Sequence, residues 1–338
     1  MSLPLVLLTH TLPEDWLISL KGHVRAVTGP LDATSLAPEL EAHLGEAEGL
    51  FCLLTIPVRK ELLGHMPRLR VVSNMAVGVD NVDVAACTAR GIPVGNTPGV
   101  LTDATADLTM AILLSAARRL PESAQDARAG RWKTWSPTGW LGADLRGATL
   151  GILGMGKIGR AVAERARGFG LRIVYTDTSP RLDVEAHSLS LGATFLSFDE
   201  LIRQSDFVSL HCPLTSETRG LINESTLRKM KPSAILVNAA RGPIVDTAAL
   251  TRALAESRIA AAALDVTEPE PLPPDHPLYS LPNCLIVPHI GSATHGTRRR
   301  MAEMACENLL AGLEGRRLPY CVNPEVYENP VFSKKTGF

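Results

Sequence analysis

What this chain of 338 residues has little of narrows its chemistry first. Neither sign of charge is in excess: 34 Lys and Arg stand against 35 Asp and Glu, spread along the chain. No basic face for nucleic acid or an anionic membrane is therefore expected, and a small-molecule partner is favoured. No apolar run reaches the roughly 20 residues that a membrane-spanning helix needs. The opening "MSLPLVLLTH" is apolar but has neither a basic n-region nor a cleavage site, so it predicts a first buried strand and not a leader. The six cysteines form no Cys-x-x-Cys pair, no metal site is expected, and runs such as "FCLLT" predict reduced core thiols in a cytoplasmic protein. Aromatic residues are only 4% of the chain, yet Trp132, Trp135 and Trp140, three of its four tryptophans, stand close together. There is no low-complexity segment and no close internal repeat.

What is present is an alternation. Hydrophobic residues make up 45% and charged residues 20%, as in a soluble globular protein, and the length suggests two domains. Short apolar runs ("LVLLTH", "LFCLLT", "LRVVSNMAVG", "IPVGNT") read as strands, with "APELEAHLGEA" and "VDVAACTARG" as helices. Residues 102–120, "TDATADLTMAILLSAARRL", predict one long helix from a Thr or Asp cap. A tryptophan- and proline-containing stretch follows. The alternation then restarts with "ATLGILGMG", "RIVYTD", "FVSLHC", "AILVNAA", "AAALDV" and "CLIVPH". Continuous apolar runs of this kind fit parallel sheets covered on both faces. The expected class is α/β, with two doubly wound parallel-sheet domains. The last helix, about residues 294–315, would return the chain to the first domain.

Three stretches carry chemistry. In "TLGILGMGKIGRAVAERARGFGLRIVYTD", Gly154, Gly156 and Gly159 form GxGxxG between a strand and a helix, the context a dinucleotide fold requires. The first glycine permits the turn, the second lets backbone approach a pyrophosphate, and the third allows helix–strand packing. Lys157 and Ile158 open the helix whose N-terminus would meet the phosphates. Asp177 ends the next strand, where a carboxylate can accept hydrogen bonds from an adenosine ribose. In "ILVNAARGPIVD", Arg241 follows a strand, and a guanidinium fork suits a planar carboxylate. In "AAALDVTEPEPLPP" and "LIVPHIGSATH", Asp265, Glu270 and His289 also follow strands, and a doubly wound sheet brings such strand ends to one edge.

These residues, together with "NMAVGVDNVD" in the first half, resemble the D-isomer-specific 2-hydroxyacid dehydrogenases, particularly the glyoxylate/hydroxypyruvate reductase branch; the likeness spans roughly residues 50–320. The resemblance implies two Rossmann-like domains: a substrate domain from 1–100 and 289–338, and a dinucleotide domain inserted at 101–288. It also implies a homodimer that uses NAD, with NADP possible, and a small 2-oxo acid as substrate. It makes Arg241, Glu270 and His289 the catalytic set. Val77 and Gly78 become the backbone donors to the substrate carboxylate, a substrate that Arg241 and His289 would also contact. Ala239, Arg241, Asp265, His289 and Gly291 join the glycine motif and Asp177 as cofactor contacts. His295 matches no catalytic position and reads as a helix start. Phosphoglycerate, lactate or phosphite as substrate, and a dinucleotide-sensing binding protein, are the competing expectations. On the cofactor, Asp177 favours NAD, because a carboxylate there would face a 2′-phosphate, whereas Thr178, Ser179 and Arg181 just beyond it could hold one.

Overall fold

The computed structural model describes residues 3–180 and 192–332. The chain divides into two compact units, one of Met1–Leu101 with Thr294–Phe338 and one of Thr102–Ala293, which includes His289. The first contains β1 (Leu5–Leu8), β2 (Arg25–Thr28), β3 (Gly49–Cys52), β4 (Val71–Asn74) and β5 (Val94–Gly95). They form a wholly parallel sheet in the order β2-β1-β3-β4-β5. The second contains β6 (Thr149–Leu153), β7 (Arg172–Thr176), β8 (Thr194–Phe195), β9 (Phe207–Leu210), β10 (Ile235–Asn238), β11 (Ala261–Leu264) and β12 (Cys284–Ile286). Its order is β12-β11-β10-β9-β6-β7-β8, again parallel throughout. Both are doubly wound α/β sheets, with the second reversing direction between β6 and β9.

Sequence dictates this through burial on both faces. Runs such as LVLL, GLFC, ILVN and AAAL have every residue buried, because helices cover each side of each sheet. In the second unit, Leu153, Val174, Leu210 and Leu236 pack on one side and Ile152, Ile173, Phe207 and Val237 on the other. The helix Thr102–Ala117 turns Thr105, Ala106, Thr109, Met110, Ile112, Leu113 and Ala117 inward at helical spacing, and the apolar ones join that second cluster. Its polar side holds Asp103 and Asp107, which pair with Arg165 of the helix Lys157–Gly168. The final helix, His295–Leu313, starts at a Thr294 side-chain cap and buries Met301, Met304, Ala305, Leu309 and Leu313 in the first unit. His295 therefore stands at a helix start, as the sequence predicts.

Register matters most for function. Leu153 pairs with Leu210, Leu210 with Asn238, Asn238 with Leu264 and Leu264 with Ile286. The last residues of five strands thus form one row. The segments that follow them leave from the same sheet edge, which is where open α/β sheets bind ligands. One expectation needs correction: the strand before His289 is not fully buried. β12 lies at the sheet margin and is half-buried throughout, because only β11 flanks it. Among the described residues no helix is long and apolar enough to cross a membrane, and no cluster of metal-ligating side chains occurs. All six cysteines are free.

Candidate active site

Gly154 follows β6 with φ +93°, a conformation that disfavours a side chain, and an added Cβ would lie 2.7 Å from the Cys212 backbone nitrogen. Gly159 packs on the Gly154 carbonyl, where a Cβ has no room. Over Gly156, in contrast, a Cβ would meet nothing within 4 Å, so that face of the loop is open. Gly156 is also the N-cap of the helix Lys157–Gly168 and provides no side-chain cap. Open space above backbone, joined to an uncapped helix N-terminus with positive potential, fits a pyrophosphate. Ile158 is half-buried and Lys157 exposed at that helix start.

Asp177 comes directly after β7, as predicted. Its Oδ2 accepts from the Met155 N–H at 3.1 Å and its Oδ1 from the Thr178 N–H at 2.8 Å. The carboxylate is thereby turned toward the glycine loop, where an adenosine ribose bound on that loop would find its acceptor. Thr178 and Ser179 are exposed, and Arg181 lies outside the described residues.

At the far ends of β10, β11 and β12 the remaining candidates are tied together. Asn238, the last residue of β10, is buried; its Nδ2 donates to the Arg241 carbonyl at 2.9 Å and its Oδ1 accepts from the Ala240 N–H at 3.0 Å. This pins the turn that carries half-buried Ala239 and Arg241. Arg241 Nη1 donates to the Ala240 carbonyl at 2.8 Å. Asn238 was not among the expected site residues; a polar residue ending the apolar run "AILVN" was the available signal.

Asp265 is 2% exposed and follows β11. Its carboxylate accepts from the Ile290 N–H at 2.6 Å and the Gly291 N–H at 2.9 Å. Burial raises its pKa above the ordinary aspartate range, although those two N–H groups and the nearby His289 work against the rise. Its backbone also matters, because the His289 N–H donates to both Asp265 O and Val287 O at 3.0 Å. Asp265 therefore fastens the residues around His289 to β11. His289 itself has φ +50°, a left-handed conformation for a non-glycine residue. Such strain persists only where surrounding bonds over-determine it, and it clusters at functional sites. Here those bonds come from Asp265 and Val287.

The His289 ring meets Glu270, with Nδ1 and Oε1 2.6 Å apart. Glu270 Oε2 accepts from the Thr267 N–H at 3.2 Å, and Thr267 Oγ1 donates to Pro269 O at 2.8 Å. A second tie, from Thr247 Oγ1 to Glu268 O at 2.7 Å, anchors the proline-stiffened loop to the helix Thr247–Ala255. A carboxylate held at this distance orients the imidazole, with Nδ1 turned to Glu270. Val77 and Gly78 belong to the other unit, in the loop after β4, and both are half-buried.

Comparison with known proteins agrees with this geometry. Residues 110–291 match the family described as D-isomer specific 2-hydroxyacid dehydrogenase, NAD binding domain. A glyoxylate reductase of Korarchaeum cryptofilum is 48% identical over 324 residues, covering 96% of this chain and 97% of the relative. The human glyoxylate reductase/hydroxypyruvate reductase is 43% identical over 318 residues, covering 93% and 96%. A crystal structure of a Thermus thermophilus protein superposes with a TM-score of 0.87 at 49% identity, covering 94% and 99%. Two parallel α/β units, a glycine loop open to a pyrophosphate and relatives alike along nearly the whole length lead to one assignment: the chain belongs to the D-isomer specific 2-hydroxyacid dehydrogenase family, in its glyoxylate reductase branch.

Proposed function

We propose that the protein reduces a small 2-oxo acid, glyoxylate or hydroxypyruvate, to the D-2-hydroxy acid, with NADH as the preferred donor and NADPH the lesser one. The observation that carries this reading is the 2.6 Å contact between His289 Nδ1 and Glu270 Oε1 at the end of a sheet whose opposite strands bear the glycine loop. When bound, the dihydronicotinamide supplies a hydride to the carbonyl carbon. His289, as imidazolium, gives its Nε2 proton to the carbonyl oxygen, so the C=O becomes CH–OH and the imidazole is left neutral. Glu270 holds the ring's orientation through Nδ1. Arg241 grips the substrate carboxylate through its fork and polarises the carbonyl, assisted by backbone N–H groups at Val77 and Gly78. Gly154, Gly156, Lys157, Ile158, Gly159 and Asp177 hold the adenosine and pyrophosphate parts of the dinucleotide. Ala239, Arg241, Asp265, His289 and Gly291 hold its nicotinamide end, Asp265 by fixing the backbone of Ile290 and Gly291.

The relatives called glyoxylate reductase support the substrate class. The reading extends to a cytoplasmic homodimer, which the thiols Cys52, Cys87 and Cys306 buried in the core and the exposed tryptophans support. Steady-state NADH oxidation with glyoxylate, hydroxypyruvate, pyruvate and larger 2-oxo acids tests it. Turnover with the two small acids at the highest kcat/KM is expected, and a protein that binds NADH yet reduces none of them would refute it.

A further inference from the structure

Three successive carbonyls in the loop after β4 are each held from within the first unit. The Thr97 N–H donates to Ala76 O at 2.9 Å, Asn96 Nδ2 to Val77 O at 2.8 Å and Asn74 Nδ2 to Gly78 O at 2.9 Å. In a planar trans peptide the C=O and the following N–H point in opposite directions. The N–H groups of Val77, Gly78 and Val79 are therefore each turned away from the donor that holds the carbonyl of the same peptide, on a loop whose residues 77–79 are half-buried. Successive N–H groups presented in this way form an anion-binding concavity.

The two asparagines that impose this are themselves fixed. Asn74 is fully buried, and its amide forms a reciprocal pair with that of Asn81, at 3.3 Å and 3.2 Å. Asn81 Nδ2 also donates to Leu53 O and Ile56 O at 3.2 Å, and carbonyls only accept. That settles which end of each amide is nitrogen and leaves Asn74 Nδ2 as the donor to Gly78. On the other side, Asn308 of the final helix is fully buried and donates to Asn96 O at 3.0 Å, while the Tyr320 N–H donates to Asn308 Oδ1 at 3.0 Å. The Asn96 N–H in turn donates to Tyr320 O at 3.1 Å. Buried amides with each group satisfied hold one arrangement rigidly.

From this juxtaposition we infer that Asn74 and Asn96 are positioning residues for substrate recognition: through the Val77 and Gly78 carbonyls they aim the backbone donors of that loop at the carboxylate of the 2-oxo acid. The inference rests on the reductase reading for the substrate's identity and on the amide network for its mechanism. It is tested with Asn96→Ala and, separately, Asn74→Ala, whose full burial makes misfolding a risk that the half-buried Asn96 does not share. Four quantities are measured for each: KM and kcat with glyoxylate, the Kd of oxamate for the protein–NADH complex by calorimetry, the Kd of NADH, and Tm. A donor released from its aim weakens carboxylate binding in ground and transition states alike, so KM and the oxamate Kd should rise about tenfold while kcat and the NADH Kd change little. Folded variants with unchanged KM and oxamate Kd overturn the inference and leave the reductase reading intact. Wild-type protein that binds no oxamate also overturns it. Protein that binds oxamate through these asparagines but reduces no 2-oxo acid overturns the reductase reading alone.

Discussion

The proton donor proposed at the end of this sheet must be held in place, and His289 is held at the level of single bonds. Its backbone is secured by Asp265 and Val287 and its ring by Glu270. Replacing His289 with Ala removes the proposed acid and leaves the glycine loop untouched, so kcat for reduction should fall by about 10² to 10⁴ with NADH binding nearly unchanged. His295→Ala, at a helix start, should be silent; activity of His289→Ala within a few-fold of wild type would remove the assignment. Glu270→Gln deletes the negative charge 2.6 Å from the ring. The ring then loses the carboxylate that orients it, so kcat for reduction should fall at least about tenfold with NADH binding nearly unchanged. An unchanged kcat would reduce Glu270 to a loop-shaping residue. His211 makes the contrasting case. The residue is half-buried as a whole, but its Nδ1 is buried with no partner among the described residues, while Nε2 lies 2.8 Å from Ser209 Oγ. Burial lowers its pKa from 6.5 to about 4. The folded state therefore resists a proton that the unfolded state accepts. This contribution to stability is full above pH 6.5 and is lost as pH falls toward 4, by at most about 3 kcal/mol. Denaturant unfolding at pH 7.5 and at pH 4.5 should show the loss in wild type and a smaller one in His211→Gln; equal losses in the two proteins would refute it.

Among elements, the strand–loop–helix around β6 is where the choice of cofactor is expected to be made. Asp177 bonds to Met155 and Thr178 N–H groups, so its carboxylate is already oriented where ribose hydroxyls would sit. A 2′-phosphate in the same place would repel it by an amount on the order of 1 to 3 kcal/mol, or about ten- to a hundredfold in affinity. The kcat/KM for NADH should exceed that for NADPH, and Asp177→Ala should erode the difference; a wild-type preference for NADPH would overturn the reading. Elements of this kind were legible in the sequence because burial on both faces leaves continuous apolar runs, as in TLGIL, FVSL, ILVN and AAAL. β2 and β8 were missed for the converse reason. Arg25–Thr28 is an exposed sheet margin and Thr194–Phe195 is two residues long, so neither carries a hydrophobic signature. The glycine motif was legible from its strand–helix context, whereas Arg241, Glu270 and His289 stood out only through the family pattern they match, since each residue type has commoner uses at strand ends. The amides of Asn74, Asn96 and Asn238 could not be read, because a hydrogen bond across the fold leaves no local pattern. Neither could the left-handed backbone of His289, which side-chain chemistry does not require.

For the whole molecule, the question is what covers the segment after the helix Thr102–Ala117. That helix satisfies its apolar face inside its own unit, packing on β10, β11 and the helix Lys157–Gly168. The chain beyond it does not. Trp132 is 75% exposed, Trp135 80% and Leu141 66%, in a chain with only four tryptophans. Large aromatic side chains left in water on one stretch cost free energy that a partner surface recovers, and tryptophan is enriched at the buried centres of interfaces. A second copy of the chain is the partner that requires no other component, and a twofold arrangement would bury the stretch in both copies. Sedimentation at micromolar concentration should therefore give twice the 36.2 kDa chain mass. The tryptophan fluorescence should shift toward longer wavelength on dilution, as Trp132 and Trp135 return to water. The double substitution Trp132→Ser with Trp135→Ser should raise the dimer dissociation constant at least tenfold without lowering the Tm of the separated subunit, since neither side chain packs in its own core. A wild-type protein that sediments as a 36.2 kDa monomer across the micromolar range would refute the dimer and leave the exposed tryptophans to a different partner.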